Sequence, residues 1–139
     1  MGIDRDIADF FRTYVDAFAR DDIDAVCRAW LFPALIMAPA GNAVREEAPF
    51  RDNGVKLMAF YRAQGMASVE GRVLETEILF PGAAKARVAY RLADSSGAEI
   101  VSWQHVYLLR LTPAGWRTAV SIADGETAAW TARGVSLGG

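Results

Sequence analysis

E-I-V-S-W-Q-H-V-Y-L-L-R-L, from Glu99 to Leu111, reads as one long strand. Successive side chains of a strand point to opposite faces. Ile100, Ser102, Gln104, Val106 and Leu108 therefore share one face, and Val101, Trp103, His105, Tyr107, Leu109 and Leu111 the other. Both sets are rich in apolar or aromatic groups, which a sheet with one side in water does not tolerate. Each face is expected to pack, one lining an interior and the other meeting a second layer or a partner subunit.

Working outward, Ser68 to Phe80, Lys85 to Ala93 and Trp116 to Asp124 are further strand-like runs. Pro81-Gly82, Asp94-Ser95-Ser96-Gly97 and Pro113-Ala114-Gly115 separate the four, and connections this short predict an antiparallel meander. Upstream the period changes to that of a helix. Ile7, Phe10, Phe11, Tyr14 and Phe18 make the apolar side of a first helix between about Asp4 and Arg20. Asp21-Asp22 caps a second, shorter one carrying Ile23, Val26, Cys27 and Trp30, which Pro33 ends. Ala34 to Pro39 is a short strand entering a turn at Ala40-Gly41-Asn42, and the chain returns irregularly to Phe50. Asp52 or Asn53 then caps a third helix that stops near Gly65.

Three helices followed by a meander predict an α+β domain, with the helices segregated to one face of a strongly curved antiparallel sheet. One domain over residues 1–139 is expected. From about 127 onward it becomes a partly ordered tail, with a helical turn carrying Trp130 and a fraying Gly138-Gly139.

The 139 residues are 53% hydrophobic and 23% charged, enough to bury a sizeable core. A formal net charge of −2 with scattered Lys and Arg argues against nucleic acid and anionic membrane as partners. The single Cys27 excludes an internal disulfide, and with one His the usual Cys/His zinc sets cannot assemble. No apolar signal core follows Met1 and no window has the length of a membrane span, so a cytoplasmic protein is the expectation. No Gly-rich phosphate loop, metal-ligand spacing or flavin or nicotinamide fingerprint is present, so no cofactor is expected.

This order of elements resembles the NTF2-like superfamily of cone-shaped (cystatin-like) α+β barrels. That superfamily includes ketosteroid isomerase, scytalone dehydratase, limonene-epoxide hydrolase and SnoaL-type polyketide cyclases. Tyr14-Val15 through Asp22-Ile23-Asp24 to Pro39-Ala40-Gly41 is similar, without a gap, to the first two helices and first strand of bacterial ketosteroid isomerases. Gln104-His105 is similar to the family's strand on which an acid precedes a His. The isomerase needs a carboxylate base and two donors for the developing oxyanion. By this resemblance Tyr14 matches one donor, while Ala38 stands where the base would be and Gln104 where the second, acidic donor would be. Isomerisation by that route is not expected, because a methyl group accepts no proton. Two readings of Tyr14 and Gln104 stay open: together they polarise a carbonyl or phenolate oxygen deep in the cone, or they form a satisfied polar pair in the core.

If Gln104 faces the cone, alternation sends His105 to the outer face with Trp103 and Tyr107, where this superfamily commonly dimerises. A homodimer through those three residues is the expectation. Ser102 and His105 lie at an odd offset, which opposes a Ser-His pair. Asp124 shares the parity of Val120 and Ile122 and is the candidate base, and Glu126 shares that parity beyond Gly125. Arg87 and Arg91, opposite Val88, Tyr90 and Leu92, are expected to face out. Phe18, Trp30, Phe60, Tyr61, Tyr90 and Val106 are candidate walls of an apolar cavity for a ring system, or else they fill that space themselves.

The function expected is that of a lyase, isomerase or cyclase acting on a small hydrophobic carbonyl compound. The alternative is a non-catalytic binding or dimerisation module.

Overall fold

A computed structural model describes residues 2 to 123 and 125 to 137. Helix α1 (Gly2–Ala19) buries Ile7, Phe11, Tyr14 and Ala17, one side of its wheel, and leaves its Asp and Arg residues outside. The chain reverses at Asp21, whose φ of 53° is the left-handed conformation that Asp tolerates better than most residues. The Asp22 side chain then accepts from the Ala25 amide at 3.1 Å and caps α2 (Ile23–Arg28). Arg62, near the end of α3 (Glu47–Ala63), donates to the Ala19 and Met66 carbonyls at 2.6 and 3.1 Å, which binds this reversal to the third helix.

Two boundaries differ from those expected. Trp30 belongs to β1 (Trp30–Ala38), and Pro33 lies inside that strand. Pairing of β1 with its parallel neighbour is interrupted between Trp30 and Leu35, so Pro33 sits where the ladder needs no N–H. Helix α3 starts at Glu47, upstream of Asp52, because Pro49 falls in its first turn, where no amide donor is required. Between them, β1 and β2 (Gly41–Arg45) form a hairpin where an irregular return was expected.

The long strands follow as β3 (Ser68–Phe80), β4 (Ala83–Ala93), β5 (Glu99–Thr112) and β6 (Gly115–Ile122). Among the described residues they make a six-stranded sheet in the order β2-β1-β6-β5-β4-β3. Its pairs are antiparallel except β1 with β6. The sheet is curved and open, with β2 and β3 as free edges, so the cone is not a closed barrel.

The C-terminal stretch forms a helix where a helical turn carrying Trp130 was expected. Helix α4 (Glu126–Ala132) packs against β5 and buries Trp130 completely beside Tyr61, Leu92 and Val101. The second core cluster thus closes the cone opposite the one under α1. Gly138 and Gly139 lie outside the described residues. Among those described, no helix is long and apolar enough to cross a membrane.

Candidate functional site

The concave face of the sheet and the four helices line a partly open cavity of about 580 Å³. That falls in the range of roughly 300–1,000 Å³ usual for small-molecule sites, so the aromatic walls leave room for a ring system. Phe18, Trp30, Phe60, Tyr61 and Tyr90 all stand in the wall.

Asn53, Lys56, Thr127 and Ser136 line this space as well, and its other polar groups are held by neighbours. The Tyr14 oxygen accepts from the Trp30 indole at 3.1 Å. The Tyr90 and Tyr107 oxygens lie 2.7 Å apart. His105 Nε2 is 2.5 Å from Ser121 Oγ, and the Trp103 indole donates to His105 Nδ1 at 3.4 Å. Glu126, the first residue of α4, accepts at Oε2 from the Tyr61 hydroxyl at 2.5 Å and the Trp130 indole at 3.2 Å. No partner reaches its Oε1 among the described residues.

Burial dominates the electrostatics. Desolvation pushes the Tyr14, Tyr61, Tyr90 and Tyr107 phenols above their ordinary range, and the nearby Glu126 charge pushes each further. All four are neutral donors at pH 7. Desolvation also raises the Glu126 carboxyl above its ordinary 4.5, against the lowering effect of the bonds from Tyr61 and Trp130. The Cys27 thiol is raised by burial as well, which makes it a weak nucleophile.

The family model for NTF2-like protein (DUF6841) matches residues 5–126. The chain belongs to this NTF2-like family. No curated protein matches it in sequence. Among solved structures, a ketosteroid isomerase-like protein from Erwinia carotovora atroseptica SCRI1043 is similar at 20% identity and a TM-score of 0.66, over 88% of this chain and 95% of that one. An NTF-2 like protein of unknown function from Shewanella oneidensis MR-1 matches at 13% identity and 0.68, over 89% and 99%. A domain of unknown function with a cystatin-like fold from Nostoc punctiforme PCC 73102 matches at 16% and 0.68, over 84% and 72%. At these identities the likeness is one of fold.

Within this NTF2-like domain the facing of β5 is the reverse of that expected. Trp103, His105 and Tyr107 line the cavity, and Gln104 is exposed on the convex face, accepting from Arg87 Nη1 at 3.5 Å. The register explains why. Residues directly opposite on antiparallel strands share a face. Ala86, Val88, Tyr90 and Leu92 oppose Tyr107, His105, Trp103 and Val101, whereas Arg87 and Arg91 oppose Val106 and Ser102. Keeping the two guanidinium groups in water fixes Gln104 outside.

Three expectations are corrected accordingly. Gln104 cannot act with Tyr14, whose partner is Trp30. Val106 is buried on the convex side between Arg87 and Ile122 and is no part of the cavity wall. Trp103, His105 and Tyr107 are not on the outer face and cannot carry a dimer there. The candidate base Asp124 lies outside the described residues.

Ser121 is a polar group that sequence parity did not bring into the site, while Glu126, which shared the parity of Asp124, reaches it from a helix and not from a strand. For Glu126 the period-2 count breaks at Gly125, where the chain turns into α4. The usable signal was helical: Glu126 and Trp130 are four residues apart, which stacks them on one face and brings the indole N–H to the carboxylate. Ala38, matched to the family's base position, does line the cavity and brings only a methyl group.

Proposed function

We propose that this NTF2-like chain takes a small hydrophobic carbonyl compound into its cone and moves a proton on the carbon beside the carbonyl. Lyases, isomerases and cyclases of such compounds share that step. Glu126 is the base: Oε1 takes the α-proton, the C–H electron pair becomes the new C=C bond, and the charge passes to the oxygen. Tyr14, whose hydroxyl proton is not used by Trp30, donates to that oxygen. The observation that carries the reading is a buried carboxylate in an apolar cavity with one oxygen held by two donors and the other without a partner among the described residues. Burial moves its pKa toward neutrality, where a general base works best. The likeness to a ketosteroid isomerase-like protein is consistent with this chemistry on this fold, although the carboxylate here comes from a different element.

A thermal-shift panel of ketones, phenols and terpenoids tests the site. A compound at about 100 times its Kd adds roughly 2.7 kcal/mol. A hit that weakens in Tyr14→Phe and is turned over only with Glu126 intact supports the enzyme. A non-catalytic binding pocket is the second reading, favoured by Ala38 in place of a carboxylate, and it predicts binding that Glu126→Gln leaves without consequence for any reaction. Self-association is a separate proposal, motivated by the exposed Ile78, Leu79, Phe80 and Leu111. A monomer in sedimentation at micromolar concentration would count against it.

A further inference from the structure

We infer that the cone holds its ligand's oxygen between two phenolic protons, that of Tyr14 and the one left over from the Tyr90–Tyr107 pair. This rests on the reading of the cavity as a carbonyl site and names the second donor that Gln104 does not supply.

The phenol protons can be counted. An indole N–H only donates, so the 3.1 Å bond from Trp30 consumes a lone pair of the Tyr14 oxygen and leaves its proton unspent. Tyr90 and Tyr107 have one proton each, and a single bond joins their oxygens at 2.7 Å. Whichever donates, the proton of the other remains. Neither spare proton is given to an acceptor among the described residues. The three rings border one space: Tyr14 and Tyr107 have centroids 6.4 Å apart, Tyr90 and Tyr107 6.5 Å, and all three line the cavity. They are 7%, 7% and 4% exposed in the order Tyr14, Tyr90, Tyr107, so their donors face the cavity and not the outer solvent.

An unanswered buried donor is costly. A ligand that meets both protons must bring an oxygen with two lone pairs. Carbonyl and phenol oxygens satisfy this, and both gain from two donors when they become enolate or phenolate. A hydrocarbon leaves both protons unmet, and an ammonium group, which has no lone pair, accepts neither of them.

The position of Tyr90 is itself built. A Cβ at Gly71 of β3 would come within 2.5 Å of Val15 Cγ2 and 3.1 Å of Tyr90 Cε1. The missing side chain lets α1 and the Tyr90 ring meet over that strand and aims Tyr90 at Tyr107.

The test compares 2-acetylnaphthalene with 2-isopropenylnaphthalene, which replaces C=O by C=CH2 at nearly constant shape. The ratio of their Kd values isolates the oxygen, and the alkene Kd reports whether the cavity is intact. Wild type is expected to favour the ketone by tenfold or more, on the order of one hydrogen bond or better. Tyr14→Phe and the double variant Tyr90→Phe/Tyr107→Phe should each cut that preference by about tenfold with the alkene affinity unchanged. If the double variant does not fold, one of the two single variants must lower the ratio, and two singles that both leave it unchanged overturn the inference. A ratio that falls with Tyr14→Phe and not with the pair overturns the pair's role while the carbonyl site stands. Failure of wild type to prefer the ketone, or to bind either compound, overturns both.

Discussion

The Tyr61 hydroxyl donates to the Glu126 carboxylate at 2.5 Å, joining α3 to α4 across the cone and anchoring the one buried acid among the described residues. The same oxygen takes the Trp130 indole N–H, so the helix that closes the cone and the proposed base are held by one set of bonds.

That arrangement makes stability depend on pH with a definite sign. The folded-state pKa of Glu126 is raised by burial, so the unfolded chain releases its proton first. Stability from this group is complete below the ordinary value of 4.5 and is lost as pH rises through the raised folded value. Thermal melts of wild type should decline over that window relative to Glu126→Gln, whose curve lacks this contribution. A difference between the two that does not vary with pH would refute the assignment.

Tyr61→Phe removes a donor to the carboxylate and leaves the ring packing in place. It should cost about 1–3 kcal/mol in chemical denaturation. It should also move the pH window of the Glu126 effect upward, because the bond from Tyr61 lowers that pKa, and loss of packing alone would not do so.

Trp130 is fully buried against Phe60 and Tyr61, with centroids at 4.9 and 6.1 Å. Trp130→Ala should cost about 3–5 kcal/mol and raise hydrogen exchange in α4 ahead of the sheet. Exchange that rises uniformly across the chain would mean that α4 is not a separately closing element.

Gly71→Ala places a methyl group against Val15 and Tyr90. Overpacking of this kind should cost about 1–3 kcal/mol and disturb Tyr90 more than Tyr14. Gln104→Ala, by contrast, should change stability by less than about 0.5 kcal/mol and leave ligand affinity alone, since Gln104 is on the convex face. A large effect of Gln104→Ala would restore the opposite facing of β5.

Period and turn chemistry made the architecture legible: the amphipathic side of α1, the Asp22 cap and the three tight turns of the meander were all readable as local signals. The facing of β5 was not, because both of its faces carry apolar groups and a one-residue choice inverts every side chain. The charges on β4 held the answer, since Arg87 and Arg91 must lie outside and their partners Val106 and Ser102 with them. That information is non-local, and a resemblance in which Gln104 took an acid's place pointed the other way. Glu126 was passed over in favour of Asp124 for a related reason. Its role depends on a helix starting where a strand count was still being kept, and on contacts with Tyr61 from 65 residues earlier.

The most direct test of proton transfer in the cone is deuterium exchange into the methyl group of 2-acetylnaphthalene, followed by NMR in heavy water with the ketone at saturation. Wild type should exchange it faster than buffer, Tyr14→Phe about 100- to 1000-fold more slowly than wild type, and Glu126→Gln at the buffer rate. Exchange at the buffer rate with the ketone demonstrably bound to wild type would contradict the account and leave a binding pocket in its place.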